Sequence, residues 1–481
     1  MNTIEWNPGR PWQEHPVTYR AAEMALLARW IEAGFSGSVV GLRGVGRSNL
    51  LGFLCHRPEV LSSYWRATPT GVNRIVILVP VDLNNLPART LSAFYRLLLR
   101  AFYEMRHRLP PDLQEPATTL FLQHRADADP FLPQSALREL LFHAQARHYR
   151  VVLVMDRFDA FCRMITPAMG DTLIGLRDSF RDTLAYLVGV RQSLAYLEPL
   201  ALADDLLRLL TAHTCYLGPF GTADARAMIS QVTRTSPLPP TEGEIAQMLR
   251  LTGGYPTLVK AISDWWLLTT PRPRLAQWRA HLWRLPAVQR CLQEIWRSLT
   301  GEEQQALAAL QQPAGSKETV VTQRRQRLAA VMATLCAKGI CRSSPNAAGD
   351  EACILFGELF ADYVNEVGML SRGAIWIEEE TDMLYQGDAL LMGLAPKEQA
   401  ILTFLAQQPR KRHTYTDLIL NAWTERERYH GVTNDSLFQV VRSLRQKIEP
   451  DPTQPIYLVN WRGKPEGGYL LYPEGRPAED D

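Results

Sequence analysis

The sequence predicts an α/β domain built on a parallel sheet with helices on both faces, followed by a helical domain and two small α+β units. Three observations carry this. Between Thr18 and Arg191, short β-branched runs alternate with longer amphipathic stretches. Beyond Thr214 the apolar residues recur at helical spacing instead. Two later stretches end in paired apolar runs around polar turns, at Ser343–Asp350 and Arg462–Lys464. The length agrees: 481 residues at roughly 150 per domain make about three domains.

Ser38-Val39-Val40 is the first strand and runs into a glycine-rich turn. Ile75 to Asp82 is the second, Val151 to Met155 the third and Leu184 to Gly189 the fourth. Such continuous apolar runs suit central strands covered on both faces. Leu91 to Leu109 carries apolar residues at helical spacing, as do Ala223–Val232, Glu242–Leu251 and Pro256–Leu268. Pro271-Arg272-Pro273-Arg274 reads as a joint. Helices within Val288–Val367 end at Leu335–Cys341, and Ala352–Phe356 follows the polar turn, the pattern of a small winged helix. Gly368 to Glu380 reads as a linker. These signals divide the chain into an α/β domain (1–213), a helical domain (214–287), a first winged helix (288–367), a linker (368–382), a last unit (383–473) and an acidic tail (474–481).

Hydrophobic residues at 46% and charged residues at 21% match an average globular protein, and no window approaches the ~18 apolar residues of a membrane span. The N-terminus lacks the basic and apolar regions of a secretory signal. Seven cysteines without a Cys-x-x-Cys pair argue against a disulfide framework and a zinc site, and for a reducing compartment. A cytoplasmic protein is expected, with no membrane partner. The net charge of +2 neither demands nor forbids nucleic acid, because only clustering on one face matters. Seven of the 52 basic residues are lysine and 45 arginine, the mark of a GC-rich genome. The ten histidines show no metal-site spacing.

Gly41-Leu42-Arg43-Gly44-Val45-Gly46-Arg47-Ser48 lies between a strand and a helix. The template G-x-x-x-x-G-K-[ST] uses glycines to converge backbone amides on phosphate, with a helix N-terminus behind them. Gly41 and Gly46 are in register with it and Gly44 lies between them, Ser48 is placed to hold magnesium, and Asn49 follows in the first turn. Arg47 occupies the lysine position, keeping the charge on a bulkier planar fork. The third strand ends in an acid, Asp156, the second expected magnesium ligand. Arg157 follows where hydrolysing relatives carry glutamate, so water activation falls to Asp159 or is vacant. These replacements favour nucleotide binding without efficient turnover, or a pocket kept as scaffold.

The order of parts resembles the STAND and Orc1/Cdc6-like branch of the P-loop ATPases. The resemblance rests on Val17-Thr18-Tyr19-Arg20-Ala21-Ala22-Glu23, the loop, Val79-Pro80-Val81-Asp82-Leu83, Gly189-Val190-Arg191 and Gly253-Gly254-Tyr255-Pro256, and spans about Thr18 to Val367. It implies a P-loop NTPase domain with a helical lid and an ATP or ADP cofactor with Mg. It also implies that Arg191 senses the γ-phosphate and that Pro256 approaches the adenine and couples the lid to nucleotide state.

In the last unit Leu394–Leu405 is an amphipathic helix, and Thr414-Tyr415-Thr416-Asp417 has the spacing of a capping box. Asn434–Ile448 places Leu437, Val441, Leu444 and Ile448 on one stripe. Its other face carries Asn434, Asp435, Gln439, Arg442 and Gln446, flanked by Phe438 and Arg445. Arginine reads guanine and glutamine reads adenine in the major groove, while Arg462 and Lys464 on the wing would contact backbone or minor groove. The unit resembles the DNA-binding domain of OmpR-type response regulators through Leu394-x-Pro396-x-Glu398, Trp423, Val441-Arg442-x-Leu444-Arg445-x-Lys447-Ile448 and an Arg-Gly…Gly-Tyr wing. That wing carries the extra residues Lys464-Pro465-Glu466. The resemblance implies double-stranded DNA as partner, with Thr424–Thr433 as the segment facing RNA polymerase. Between Gly387 and Pro473 there are 11 basic and 9 acidic residues, so one copy would bind weakly and a homo-oligomer would gain by avidity. The expected function is a DNA-binding transcriptional regulator with a hydrolysis-poor nucleotide module as switch or oligomerisation platform. A pseudo-ATPase adaptor for a protein partner and an ATP-dependent DNA-remodelling or initiator protein are the alternatives.

Overall fold

The computed structural model describes residues 12, 15–65, 74–194, 204–309, 322–345, 351–370, 373–378, 383–387, 389–429, 431–463 and 466–476. Two units divide them. One is Met1–Ser298 with Leu335–Leu359, the other Leu299–Thr334 with Phe360–Asp481.

The first unit begins with α1 (Ala21–Ala33), β1 (Gly37–Gly41), α2 (Arg47–His56) and α3 (Pro58–Ser62). Then come β2 (Val76–Val81), α4 (Leu91–Glu104), α5 (Pro111–His124), α6 (Phe131–Ala146) and β3 (Arg150–Met155). α7 (Phe158–Cys162), α8 (Pro167–Ser179), β4 (Leu184–Val190), α9 (Asp204–Thr211) and β5 (Thr214–Leu217) complete the α/β part. The sheet has the order β2-β3-β4-β1-β5, every neighbouring pair parallel. Every residue of β1, β3 and β4 is buried, so apart from Ser38 and Arg150 these strands read as continuous apolar stretches rather than an alternation. Each fully buried Val or Leu there contributes about 1.5–3 kcal/mol.

β5 corrects the boundary drawn at residue 213. It pairs with β1 through Val39 and Cys215, so the sheet runs on to Leu217. Only four residues long, with Thr214 and Tyr216 half-buried, it lacks the long apolar run that marks the other strands.

The lid comprises α10 (Thr222–Thr233), α11 (Glu242–Thr252), α12 (Pro256–Leu268), α13 (Trp278–Trp283) and α14 (Pro286–Arg297). A capping box starts α11: Thr241 Oγ1 accepts from the Glu244 amide, and the Glu244 carboxylate accepts from the Thr241 amide. Pro256 opens α12 at the one helical position where a missing N–H costs nothing. α15 (Gly301–Ala309), α16 (Thr322–Ala337), β6 (Cys341–Pro345), β7 (Glu351–Leu355) and α17 (Glu358–Leu370) follow, and the stretch 288–367 is divided between the two units. Its hairpin belongs to the first unit, because Phe356 stacks on Tyr255 of the lid at 5.1 Å.

In the second unit β8 (Ile375–Ile377), β9 (Leu384–Gln386) and β10 (Ala389–Leu390) form an antiparallel sheet. The stretch expected as a linker therefore contributes β8. Ile375 is buried in the same core as Leu402, Leu418, Val441 and Leu444. Then come α18 (Pro396–Gln407), β11 (His413–Thr414), α19 (Tyr415–Ala422), α20 (Glu425–Tyr429), α21 (Asn434–Ile448), β12 (Leu458–Trp461) and β13 (Gly468–Leu471). The sheet order β11-β13-β12 makes the wing hairpin. The Thr414–Asp417 capping box forms: each residue's amide donates to the other's side chain, at 2.9 and 3.1 Å. The architecture is thus a parallel α/β domain with a glycine-rich loop after its first strand and a following set of helices, together with a C-terminal winged helix.

Candidate nucleotide and DNA sites

β1 ends at Gly41 and α2 begins at Arg47, so the loop between them presents its amides beside the helix N-terminus. Gly44 (φ +82°) and Gly46 (φ +90°) hold backbone angles that a side chain would strain. A Cβ on Gly44 would also lie 2.5 Å from Thr257 Oγ1, because α12 of the lid begins against the loop. Asn49 is half-buried in the first turn of α2.

Arg47 does not project freely from the loop. Its side chain is 8% exposed, and Nε donates to Asp156 Oδ1 at 2.9 Å. Ser48 Oγ donates to the other oxygen of Asp156 at 2.5 Å. The two residues expected to hold magnesium are thus neighbours, but the carboxylate is already neutralised by the arginine. Gly189 makes the pairing possible. It lies on β4 between the loop strand and the Asp156 strand, and a Cβ there would sit 2.6 Å from Asp156 Oδ1 and 3.2 Å from Arg47 Nε.

Buried polar atoms beside the loop with no hydrogen-bond partner among the described residues include Arg47 Nη1 and Thr257 Oγ1. An unmet buried donor costs about 1–3 kcal/mol, more for a charged one. A phosphate at the loop would accept from Arg47 Nη1 and the loop amides, so these residues fit a nucleotide's phosphate. They fit magnesium less well, since the ion would have to compete with Arg47 for Asp156.

Asp159 is buried on α7, and its Oδ2 lies 3.6 Å from Arg191 Nε at the end of β4. The residue expected to activate water thus faces the residue expected to sense phosphate. Arg157, in the glutamate position, is exposed and left-handed at φ +56°. The other carboxylate oxygen of Asp159, Oδ1, has no hydrogen-bond partner among the described residues.

Further contacts hold the loop from outside. Arg20 is fully buried. Its Nη2 donates to Val45 O (2.6 Å) and Gly218 O (3.0 Å), Nη1 donates to Glu23 (2.9 Å), and the guanidinium lies 4.7 Å from the Phe220 ring centre. The Tyr255 hydroxyl, fully buried, donates to Arg43 O at 2.6 Å. Pro256 Cγ lies 4.0 Å from where a Gly46 Cβ would stand. The turn before it is equally tight, since a Cβ on Gly253 would fall 1.7 Å from Phe356 O. Sequence reasoning singled out Arg20 and Pro256 but missed Tyr255, Thr257 and the steric role of Gly189. The glycine-rich turn was the signal for the first two, while that of Gly189 exists only across strands.

In the second unit α21 buries Leu437, Val441, Leu444 and Ile448 and exposes Asn434, Gln439, Arg442 and Gln446. Phe438 is exposed, with its ring edge-on to Tyr415 at 5.2 Å. Arg442 takes no hydrogen bond or ion pair among the described residues. Arg445 differs from its expected placement. Its Nε and Nη2 donate to Leu458 O at 3.0 and 2.6 Å, Nη2 also reaches Asn460 Oδ1, and burial pulls its pKa below the ordinary value. Arg445 therefore ties α21 to β12 instead of facing outward. Glu449, fully buried, extends the same junction by accepting from the amides of Ile456, Tyr457 and Leu458 at 2.7–3.1 Å.

Arg462 is exposed where β12 enters the wing, and Lys464 lies outside the described residues. In the basic run before β11, Arg410 pairs with Glu474 at 3.1 Å. The segment Thr424–Thr433 carries the short α20.

Residues 391–471 match the family described as transcriptional regulatory protein, C terminal. No curated protein matches the chain significantly. Among solved structures the chain is similar to the Walker-type ATPase PABY2304 of Pyrococcus abyssi, at 16% identity and a TM-score of 0.43, covering 72% of this chain and 95% of that one. It is also similar to the Aeropyrum pernix ORC2 protein in ADPNP and ADP complexes (14%, 0.35, 76% and 95%) and to the Aeropyrum pernix ORC1 protein in complex with DNA (15%, 0.30, 72% and 92%). Among the described residues no helix is long and apolar enough to cross a membrane. The chain therefore ends in a domain of the transcriptional regulatory C-terminal family.

Proposed function

We propose that the chain is a transcription regulator that reads duplex DNA with α21 and Arg462, and whose phosphate loop binds a nucleotide as a switch rather than for turnover. The observation that carries the reading is the exposed face of α21 in a domain of the regulatory family. Asn434, Gln439 and Arg442 stand free on one side of a helix whose other side is core. Side chains of these types distinguish base pairs in the major groove. Phe438, between them, supplies an apolar surface for a thymine methyl.

The loop supports the nucleotide half. Loop amides, the N-terminus of α2 and the unmet Arg47 Nη1 would hold phosphate; when bound, ATP or ADP supplies negative charge that draws Arg47. Arg47 has one guanidinium to divide between Asp156 and phosphate, so phosphate binding would loosen the Asp156 pair. Tyr255 and Thr257 touch the loop from the lid, so such a shift would be felt at α12. Asp159 turned to Arg191 and arginine at position 157 support slow hydrolysis, and disfavour a DNA-remodelling motor. Self-association would join several readers, raising affinity without new contacts.

The test has two readouts. Nucleotide is sought in the supernatant of the heat-denatured protein and in a thermal shift with magnesium-ATP. Binding to duplex DNA is followed by fluorescence anisotropy across a salt series. The reading expects ADP or ATP, or a stabilisation abolished by Arg47→Ala, together with affinity that falls as salt rises. Salt-dependent DNA binding without nucleotide would leave a regulator with a scaffold loop. Nucleotide without DNA binding would favour the adaptor.

A further inference from the structure

The sequence scatters its seven cysteines, but the fold gathers three of them. Cys336 lies in the last turn of α16, Cys341 opens β6 and Cys353 lies on β7. Gly339, left-handed at φ +66°, ends the helix and turns the chain back, so the Cys336 and Cys341 sulfurs stand 3.3 Å apart. The hairpin register pairs Cys341 with Leu355 and Ser343 with Cys353, so Cys341 and Cys353 share a face as diagonal neighbours, and their thiols hydrogen-bond. The three differ in access: Cys336 is exposed, Cys353 half-buried and Cys341 buried at 1%.

We propose that Cys336 and Cys341 form a reversible dithiol–disulfide site that takes a peroxide as its oxidant. The exposed Cys336 thiolate attacks the peroxide, forming an S–O bond and breaking the O–O bond; hydroxide leaves and a sulfenic acid remains. The Cys341 sulfur then attacks the Cys336 sulfur, forming the S–S bond and breaking the S–O bond. The Cys341 proton goes to the departing hydroxide as water. Two thiols are oxidised by two electrons and one peroxide is reduced. Burial raises the Cys341 pKa, keeping it a thiol shielded from the oxidant until the sulfenic acid forms beside it. Cys353, half-buried on β7, also has its pKa raised by burial.

The place of the pair gives the chemistry a consequence. The turn it would lock carries Gly339, where a Cβ would lie 2.8 Å from Pro219 Cδ and 3.1 Å from Gly218 Cα. Gly218 O is one of the two carbonyls that fix Arg20, and the other is Val45 O of the phosphate loop. The turn that carries the dithiol is thus joined to the loop by three successive contacts, Gly339 to Gly218, Gly218 to Arg20 and Arg20 to Val45.

The test treats the full chain with one to a few equivalents of hydrogen peroxide, blocks remaining thiols and digests with trypsin. Cleavage after Lys338 falls between the two cysteines. A Cys336–Cys341 disulfide therefore appears as Leu328–Lys338 linked to Gly339–Arg342, two hydrogens lighter than the separate peptides. The expected result is that species, reversed by dithiothreitol and lost in Cys336→Ser, a change at an exposed position that leaves the fold intact. In Cys341→Ala, Cys336 should instead stop at the sulfenic acid, trapped by dimedone. A dominant Cys341–Cys353 link, over-oxidation of Cys336 with no link, or stoichiometric zinc on the untreated protein would each overturn the proposal.

Discussion

Arg445→Ala should weaken the wing without touching DNA directly. The guanidinium gives two donors to Leu458 O, at 3.0 and 2.6 Å, and one to Asn460. A hydrogen bond to a charged group is worth about 1.5–3 kcal/mol, and two on one carbonyl do not add fully. The half-buried setting discounts them further, which leaves about 2–3 kcal/mol for the junction of α21 with β12. Local opening of β12 and β13 should then be roughly 30- to 150-fold more frequent, at tenfold per 1.4 kcal/mol. Hydrogen exchange read by mass spectrometry over peptides spanning 457–471 measures this directly. Arg445→Lys should fall between, since an ammonium cannot reproduce the fork. Arg442→Ala, on the same helix but exposed, should leave the exchange unchanged. The reasoning is refuted if Arg445→Ala exchanges like the wild type while DNA affinity collapses, because the guanidinium would then act on DNA.

Three further outcomes are expected. Gly189→Ala should part Arg47 from Asp156, since its methyl would stand 2.6 Å from Oδ1; a thermal melt should show a loss of about 1–3 kcal/mol, with Gly175→Ala, where a Cβ meets nothing within 4 Å, as the neutral control. Asp156→Asn removes the counter-charge of a buried guanidinium; as Asp156 is 27% exposed the cost should be roughly 1–3 kcal/mol, partly recovered by added nucleotide, and equal melts with and without nucleotide would contradict it. For Glu398, burial alone would raise the carboxyl pKa, but hydrogen bonds from Lys447, Ser443 and the Ala395 amide outweigh it and hold it below its ordinary value. A depressed carboxylate stabilises above its unfolded pKa and loses that stabilisation as pH falls through the folded one. The gap between wild type and Glu398→Gln in urea melts should therefore be full at pH 7 and close below the ordinary carboxylate range.

Much of the fold was legible because the longer elements announce themselves. β1 to β4 are apolar runs in a sheet covered on both faces, and α21 repeats its apolar residues with helical period. β5 and β8 were not legible: four and three residues carry no period, and Ile377 runs straight into glutamates. Their strand character comes from the partner that hydrogen-bonds them. At the loop the residue types were readable, and the replacement of lysine by Arg47 was noticed, but its pairing with Asp156 depends on Gly189 from a third strand. Arg445 was misplaced for a related reason. Helical spacing sets it at the edge of the exposed face, and only the approach of Leu458 O and Asn460 turns it inward. The three cysteines were likewise separate in sequence until α16, Gly339 and the hairpin brought them together.

The central claim, that α21 reads DNA sequence, is tested most directly by selecting the full-length protein against a pool of random duplexes and sequencing what it retains, with Arg442→Ala alongside. Base reading by α21 should enrich a motif with the wild type, with preference relaxed at one or two adjacent base pairs in the variant and affinity lowered by about 1–3 kcal/mol. A pool returned unenriched by the wild type, or a motif untouched in the variant, would contradict it.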